Sequence, residues 1–116
     1  MAFEKVAELD GFPIGTAVAA ELGGEPLCVV RLDATTVTAV HDTCSHQEYP
    51  LHEGYVDVDE RRIECALHGS MFDLGSGHPD SLPAVRAIPV YACKVSDGAV
   101  WVDVDQQLND APVPRH

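Results

Sequence analysis

The dipeptide Asp97-Gly98 separates two runs of strand-like composition, AIPVYACKVS (87–96) and AVWVDVD (99–105). Asp-Gly between alternating runs is a strong signal for a two-residue β-hairpin turn, because both turn positions need a positive φ. Along the second run, Val100, Val102 and Val104 share one face. This end of the chain is therefore expected to form an antiparallel pair of strands.

Short runs of the same character recur along the chain, and Gly23-Gly24 separates the first two of them. The runs are TAVAAEL (16–22), EPLCVVRL (25–32), TTVTAVH (35–41), RRIEC (61–65) and SMFDL (70–74). No segment keeps a helical period beyond a turn or two, and residues 42–60 have the composition of a loop. The sequence thus predicts an all-β fold, a sandwich or a barrel.

The length and charge of the chain limit its organisation and its partners. The 116 residues suffice for one domain, which we expect over residues 1–105, with residues 106–116 as a flexible tail. The net charge of -12 repels phosphate, so nucleic acid is an unfavourable partner. The N-terminus lacks the apolar core of a signal peptide, and no apolar run is long enough to span a membrane. We therefore expect a cytoplasmic protein.

Two of the four cysteines are each followed closely by a histidine. Cys44-x-His46 and Cys65-x-x-His68 are separated by eighteen residues, and each pair lies in a loop at a strand end. Two neighbouring loops of this kind could close on one metal centre. Two thiolates and two imidazoles suit either tetrahedral zinc or a [2Fe–2S] cluster with mixed ligands.

The arrangement of the pairs favours the iron cluster over zinc. Zinc fingers commonly place paired ligands two to four residues apart, and they tend to pair like with like. Here each loop supplies one cysteine and one histidine. A two-iron cluster explains this symmetry, because each loop can give its cysteine to one iron and its histidine to the other. The alternative, from a different class of function, is a binding module that zinc stabilises and that has no redox activity.

The ligand pattern and the sequence after it resemble those of soluble bacterial Rieske-type [2Fe–2S] ferredoxins. The resemblance covers residues 3–105 and includes LHEGYVD, IECALHGSMFDLGSGHP and LPAVRAIPVYACKVSDG. It implies an antiparallel β-sandwich with a small cluster-binding subdomain, about residues 42–84, formed by two loops. By the same resemblance, one [2Fe–2S] cluster is bound, with the buried iron held by Cys44 and Cys65 and the outer iron by His46 and His68. The third loop, SLPAV, would cover the cluster with Pro83.

The residues after the second histidine bear on the reduction potential. High-potential Rieske proteins resemble one another in having a serine and a tyrosine two and four residues after that histidine, and the equivalent residues here are Ser70 and Phe72. Hydrogen bonds to cluster sulfurs stabilise the reduced state, and the phenol is absent. We therefore expect a potential in the lower half of the Rieske range of about -150 to +300 mV, or somewhat below it.

The resemblance implies a one-electron carrier without catalytic residues of its own. Its expected partners are a flavin-dependent ferredoxin reductase and a terminal non-haem iron ring-hydroxylating oxygenase, and its expected state is a monomer. Two alternatives keep the cluster: a donor for iron–sulfur cluster assembly, and the small subunit of a nitrite reductase. The sequence alone does not choose among these roles.

Acidic residues around the first loop are expected to be either a solvated face or a docking rim for a basic partner. They are Asp42, Glu48, Glu53, Asp57, Asp59 and Glu60. Gln47 and the LPAV segment would form the less charged centre of that docking surface. The remaining cysteines, Cys28 and Cys93, are expected to be small buried hydrophobic residues. His41 and His52 are expected to be structural or solvent-facing.

Overall fold

The computed structural model describes residues 3–45, 49–66, 69–79 and 86–113. Within these ranges the chain forms nine strands and one short 3-10 helix, Leu51–Glu53. The strands are β1 (Glu4–Glu8), β2 (Ala17–Leu22), β3 (Glu25–Arg31), β4 (Val37–His41), β5 (Val56–Asp57), β6 (Arg62–Glu64), β7 (Met71–Asp73), β8 (Val90–Ser96) and β9 (Ala99–Gln107). In the ranges described, no helix has the length and apolar character needed to cross a membrane.

The strands form two antiparallel sheets. The main sheet has six strands in the order β1-β9-β8-β4-β3-β2, and the small sheet has three in the order β5-β6-β7. The predicted β8–β9 hairpin is confirmed, and its turn residues Asp97 and Gly98 have φ values of 55° and 72°. Gly23 and Gly24, between β2 and β3, also have positive φ. These residues therefore supply the turn geometry that their types predict.

Each face of the main sheet covers a separate hydrophobic core. Because side chains alternate along a strand, Val29 and Val30 of β3 enter different cores. The main-sheet core also contains Phe12, Leu27, Val37, Ala39, Tyr91, Val100 and Val102. The intersheet core joins Val30 and Val40 of the main sheet to Val56, Ile63 and Phe72 of the small sheet. The all-β sandwich prediction is confirmed.

Two strands are not predicted from the sequence. β1 has exposed Glu4, Lys5 and Glu8, so its alternation is weak, and it forms an edge of the main sheet by pairing with β9. β5 is two residues long, within a segment that the sequence analysis assigns to a loop. Pairing with β6 defines it, and two residues are too few to show the alternation of a strand.

The C-terminal segment is held against the domain beyond the boundary that the sequence predicts. β9 continues to Gln107, two residues past the expected boundary at residue 105. The Asn109 side chain accepts a hydrogen bond from Val90 N–H and donates to the carbonyls of Ser76 and Ile88. Residues up to Asn109, which the sequence places in the tail, therefore belong to the folded domain.

Candidate metal centre

The first cluster loop leaves the main sheet at the end of β4. Thr43 pairs with Pro50 in an isolated antiparallel bridge, and between them the N–H of Cys44 donates to the carbonyl of Tyr49 at 3.1 Å. This bond closes a six-residue loop that starts at the cysteine. Cys44 is 1% exposed and belongs to the intersheet core.

The second cluster loop joins β6 to β7 and is closed in the same way. The N–H of Cys65 donates to the carbonyl of Ser70 at 2.7 Å, again spanning six residues. The Gly69 N–H donates a hydrogen bond to the Cys65 carbonyl at 2.8 Å, and Gly69 has a φ of 78°. Cys65 is also 1% exposed and belongs to the same core. The two cysteines therefore hold equivalent places in two matched loops.

The two cysteine side chains have the properties expected of ligands to a metal cluster. Both thiols are free of disulfides, buried, and at the start of a closed loop. Sulfur donors held in a dry core suit iron–sulfur ligation, and burial keeps water from the metal. Cys44 and Cys65 therefore fit the sulfur half of the donor set.

Several predicted site residues lie outside the described residues. They are His46, Gln47, Glu48, His68 and Pro83. Within the described ranges, no group of three or more histidine, cysteine, aspartate or glutamate side chains could hold a metal ion. Two of the four predicted ligands fall outside those ranges, so the ligand set remains a prediction.

The other two cysteines lie on strands of the main sheet and not in the matched loops. Cys28, on β3, is fully buried, and burial raises the pKa of its thiol well above its ordinary value. Burial likewise raises the pKa of the Cys93 thiol, on β8, to about 12. Burial therefore disfavours the thiolate form of both side chains. They therefore behave as small apolar residues.

Ser70 and Phe72 both lie beside the second cluster loop. Ser70 is 1% exposed, and its carbonyl closes the loop through Cys65. Phe72 is fully buried on β7, opposite Ile63 of β6. The intersheet core contains both Phe72 and the two candidate cysteines, so the ring packs in the same core as the thiols.

A buried carboxylate anchors the first cluster loop, although the sequence predicts this residue on an exposed acidic face or docking rim. Asp42 is 6% exposed, with Oδ1 accepting from the His52 main-chain N–H at 2.8 Å. Its Oδ2 lies 2.6 Å from His52 Nδ1, and its carbonyl accepts from Leu51 N–H. Asp42 thereby binds the 3-10 helix that follows the loop. Asp and His ten residues apart carry no sequence signal for this contact.

His41 is a structural residue, as expected. Its Nδ1 accepts a hydrogen bond from the Thr43 N–H, so the ring proton resides on Nε2. Nε2 then donates to Glu25 Oε1 at 3.1 Å. The side chain is 3% exposed and ties β4 to β3 directly before the first cluster loop.

A hydrogen bond links the first cluster loop to the chain that leads into β8. Ser45 Oγ donates to the carbonyl of Arg86 at 2.6 Å. Glu53, predicted to lie on the docking rim, is exposed at the end of the 3-10 helix. Asp59 and Glu60 are exposed in the turn between β5 and β6. Acidic side chains therefore remain available to solvent around the small sheet.

The sequence model of the Rieske [2Fe-2S] domain family matches residues 2–92 of this chain. The chain is 34% identical over 96 residues to the anthranilate 1,2-dioxygenase ferredoxin subunit of Burkholderia cepacia, covering 83% of this chain and 86% of that protein.

Two solved structures have the same fold. One is the ferredoxin of carbazole 1,9a-dioxygenase from Nocardioides aromaticivorans, with a TM-score of 0.83, 32% identity, and coverage of 88% of this chain and 97% of that one. The other is a complex of reduced oxygenase and oxidized ferredoxin in carbazole 1,9a-dioxygenase, with a TM-score of 0.80, 31% identity, and coverage of 90% and 94%. The chain belongs to the Rieske [2Fe-2S] domain family, and its cofactor is a Rieske-type [2Fe–2S] cluster.

Proposed function

We propose that this protein is a one-electron carrier that passes electrons from a flavin-dependent reductase to a non-haem iron ring-hydroxylating oxygenase. The observation that carries the proposal is the pair of buried thiols, Cys44 and Cys65, at the start of two identically closed loops in one core. Ferredoxin subunits of dioxygenases are among its relatives, and one similar structure is a ferredoxin bound to its oxygenase.

We assign the four ligands as Cys44, His46, Cys65 and His68. The bound cluster supplies reversible uptake of one electron. These two thiolates and two imidazoles would hold the cluster, and a cluster with this full ligand set would leave no place for a substrate. The chain therefore has no catalytic residues of its own.

The protein surroundings of the cluster hold it and exclude water. Cys44 and Cys65 are held by main-chain bonds across their loops, and the intersheet core surrounds their side chains. Asp42 secures the first loop to the helix that follows it. Main-chain bonds and burial of this kind would restrict movement of the cysteines between oxidation states, which suits rapid electron exchange.

Partner docking is proposed at the cluster end of the molecule. The net charge of -12 attracts a basic partner at long range, and Glu53 together with the predicted Gln47 and Glu48 would border the contact. A carrier that must dock and leave needs weak, transient contacts, which is consistent with a monomer. We place the protein in the cytoplasm, where free cysteines persist.

The proposal is tested by voltammetry of the purified protein, with iron and zinc content measured on the same sample. We expect two irons per chain and a reversible one-electron wave. The bound cluster should colour the protein red-brown. Cys44→Ala and Cys65→Ala should each abolish this visible absorption, whereas Cys93→Ala should retain it. If the folded protein contains zinc and gives no voltammetric wave, the proposed electron-carrier function is wrong. Electron delivery to a dioxygenase is then tested by product formation with a reductase and an oxygenase.

A further inference from the structure

Three side chains form a row across the small sheet at the end nearest the second cluster loop. The carbonyl of Tyr55, the residue before β5, accepts a hydrogen bond from the Glu64 N–H at 2.8 Å. This bond extends the β5–β6 register by one pair. On the other side of β6, Glu64 is paired with Met71 of β7. Tyr55, Glu64 and Met71 therefore lie side by side, and we call them the outer row.

The outer row points away from the intersheet core. Each of its members is next in the chain to a residue that is buried in that core, and these buried residues are Val56, Ile63 and Phe72. Successive side chains of a strand point to opposite faces, so the outer row faces solvent. The exposed fraction of Tyr55 is 63%, and Glu64 and Met71 are partly exposed. The outer row is therefore accessible to another molecule.

The outer row lies directly beside the second cluster loop. Cys65 follows Glu64 in the chain, and Ser70, whose carbonyl closes the loop, precedes Met71. Glu64 Oε2 lies 3.8 Å from the position that a Cβ on Gly69 would occupy. The Glu64 carboxylate therefore lies against the loop that begins at the candidate ligand Cys65. A partner seated on the outer row would have a short electron path to the proposed cluster.

Carboxylates border the outer row and outnumber the cations of the small sheet. In the next row of the same face, Asp57 and Asp73 stand on either side of Arg62. Arg62 Nη2 donates to Glu60 Oε1 at 3.0 Å, so this cation is already paired with a carboxylate. Glu53 is exposed at the end of the 3-10 helix that leads into the sheet. Such a face attracts a basic surface and repels the same face of a second copy.

We infer that the outer row is a docking surface for a redox partner whose contact face is basic with an apolar centre. Tyrosine and methionine are enriched at protein interfaces, so Tyr55 and Met71 suit the apolar centre. Glu64 would pair with a lysine or arginine of the partner beside the cluster loop. Electron-transfer encounters commonly bury less than about 1,200 Å² in total, so one small sheet face and its border suffice. The inference rests on the proposed function and extends the docking surface from the cluster end onto the small sheet.

The test is stopped-flow reduction of cytochrome c, a small basic haem protein, by the reduced holoprotein. The cluster gives up one electron, and the ferric haem becomes ferrous. At low ionic strength, Glu64→Gln should lower the second-order rate constant about threefold, the value of an exposed ion pair, and high salt should remove this effect. Tyr55→Ala should lower it about fivefold, the loss expected of an aromatic contact at the centre of an interface. The matched controls Glu21→Gln on β2 and Ile14→Ala before β2 change exposed residues on other parts of the surface and should retain the wild-type rate.

Ferricyanide, a small anionic oxidant, distinguishes docking from a change in driving force. Glu64→Gln removes a negative charge beside the cluster loop, so it should speed the reduction of ferricyanide while it slows that of cytochrome c. A change in reduction potential would instead move both rates in the same direction. Tyr55→Ala should leave the ferricyanide rate unchanged, because this oxidant offers no apolar face to the ring.

The outcomes separate the docking surface from the proposed electron-carrier function. A wild-type protein that gives no one-electron voltammetric wave would contradict the carrier function itself. A normal wave together with wild-type cytochrome c rates in Glu64→Gln and Tyr55→Ala would overturn the docking surface alone. Glu64→Gln rates that move in the same direction with both oxidants would also overturn it.

Discussion

Asp42 and His52 are joined by two contacts, from the His52 main-chain N–H to Oδ1 at 2.8 Å and between Nδ1 and Oδ2 at 2.6 Å. The carboxylate is buried two residues before the candidate ligand Cys44. A third bond, from Leu51 N–H to the Asp42 carbonyl, completes the attachment. The geometry of the first cluster loop therefore depends on a side chain that does not bind the metal.

Asp42→Ala is expected to destabilise the protein and to speed loss of the cluster. Truncation leaves the His52 N–H and ring without their acceptor, a change that costs about 2 kcal/mol for a buried, charge-assisted pair. Urea unfolding and the decay of visible absorption measure the two effects. Asp59→Ala removes an exposed carboxylate from the β5–β6 turn and should do neither. Equal behaviour of the two variants would show that the Asp42 contacts contribute little.

Gly54 is expected to tolerate no side chain. A Cβ at this position would lie 1.6 Å from the carbonyl oxygen of Glu64, the residue before Cys65. Since the obstacle is backbone, Gly54→Ala must displace β6 and should cost several kcal/mol with loss of the cluster. Gly11→Ala is the control, because Gly11 has a φ of 82° and open space around it. That substitution should cost only about 1 kcal/mol, from backbone strain. Thermal unfolding and iron content distinguish the two.

Phe72→Tyr is expected to raise the reduction potential. A hydroxyl that reaches a cluster sulfur would stabilise the reduced state by about 1 kcal/mol, which corresponds to about 40 mV for one electron. Voltammetry measures the shift. Phe12→Tyr adds the same hydroxyl to the main-sheet core, which holds neither candidate cysteine, and should leave the potential unchanged. If the Phe72→Tyr protein binds the cluster and its reduction potential is unchanged, the residue at this position does not influence the potential.

Asp33 is expected to contribute pH-dependent stability. Its Oδ1 accepts from the N–H groups of Thr35 and Thr36, and these bonds hold the pKa of the carboxyl below its ordinary value of 3.8. A depressed pKa in the folded state gives stability that is present above the unfolded value and is lost as the pH falls through the folded one. Wild type should thus be more stable than Asp33→Ala at pH 7, and the difference should shrink below pH 3.8.

Urea unfolding across this pH range measures that difference. Acid release of the cluster is common to both proteins, so it cancels in the comparison. Asp10→Ala, at an exposed site before Gly11, is the control for removal of a surface carboxyl group. A gap between wild type and Asp33→Ala that is constant with pH would contradict the assignment to the ionised carboxylate.

The strands and turns that were predicted correctly depend on neighbouring residues. Asp97-Gly98 specifies a hairpin because two adjacent residues must adopt positive φ, and alternation in β3 and β9 marks their buried faces. The edge strand β1 was missed because its register comes from β9, far along the chain. Local signals therefore predict elements, while partners of edge strands are chosen by long-range pairing.

The sequence by itself determined the family and the pattern of the two Cys/His pairs, because ligand type and spacing are properties of short segments. Only the tertiary structure decided that Cys44 and Cys65 share one core in matched loops, whereas Cys28 lies in that core on strand β3 and Cys93 packs against the main-sheet core. It also decided that Asp42 is buried against His52 and that the Thr38 hydroxyl is buried without a partner. Burial and pairing arise from the packing of distant segments, so residue types alone do not specify them.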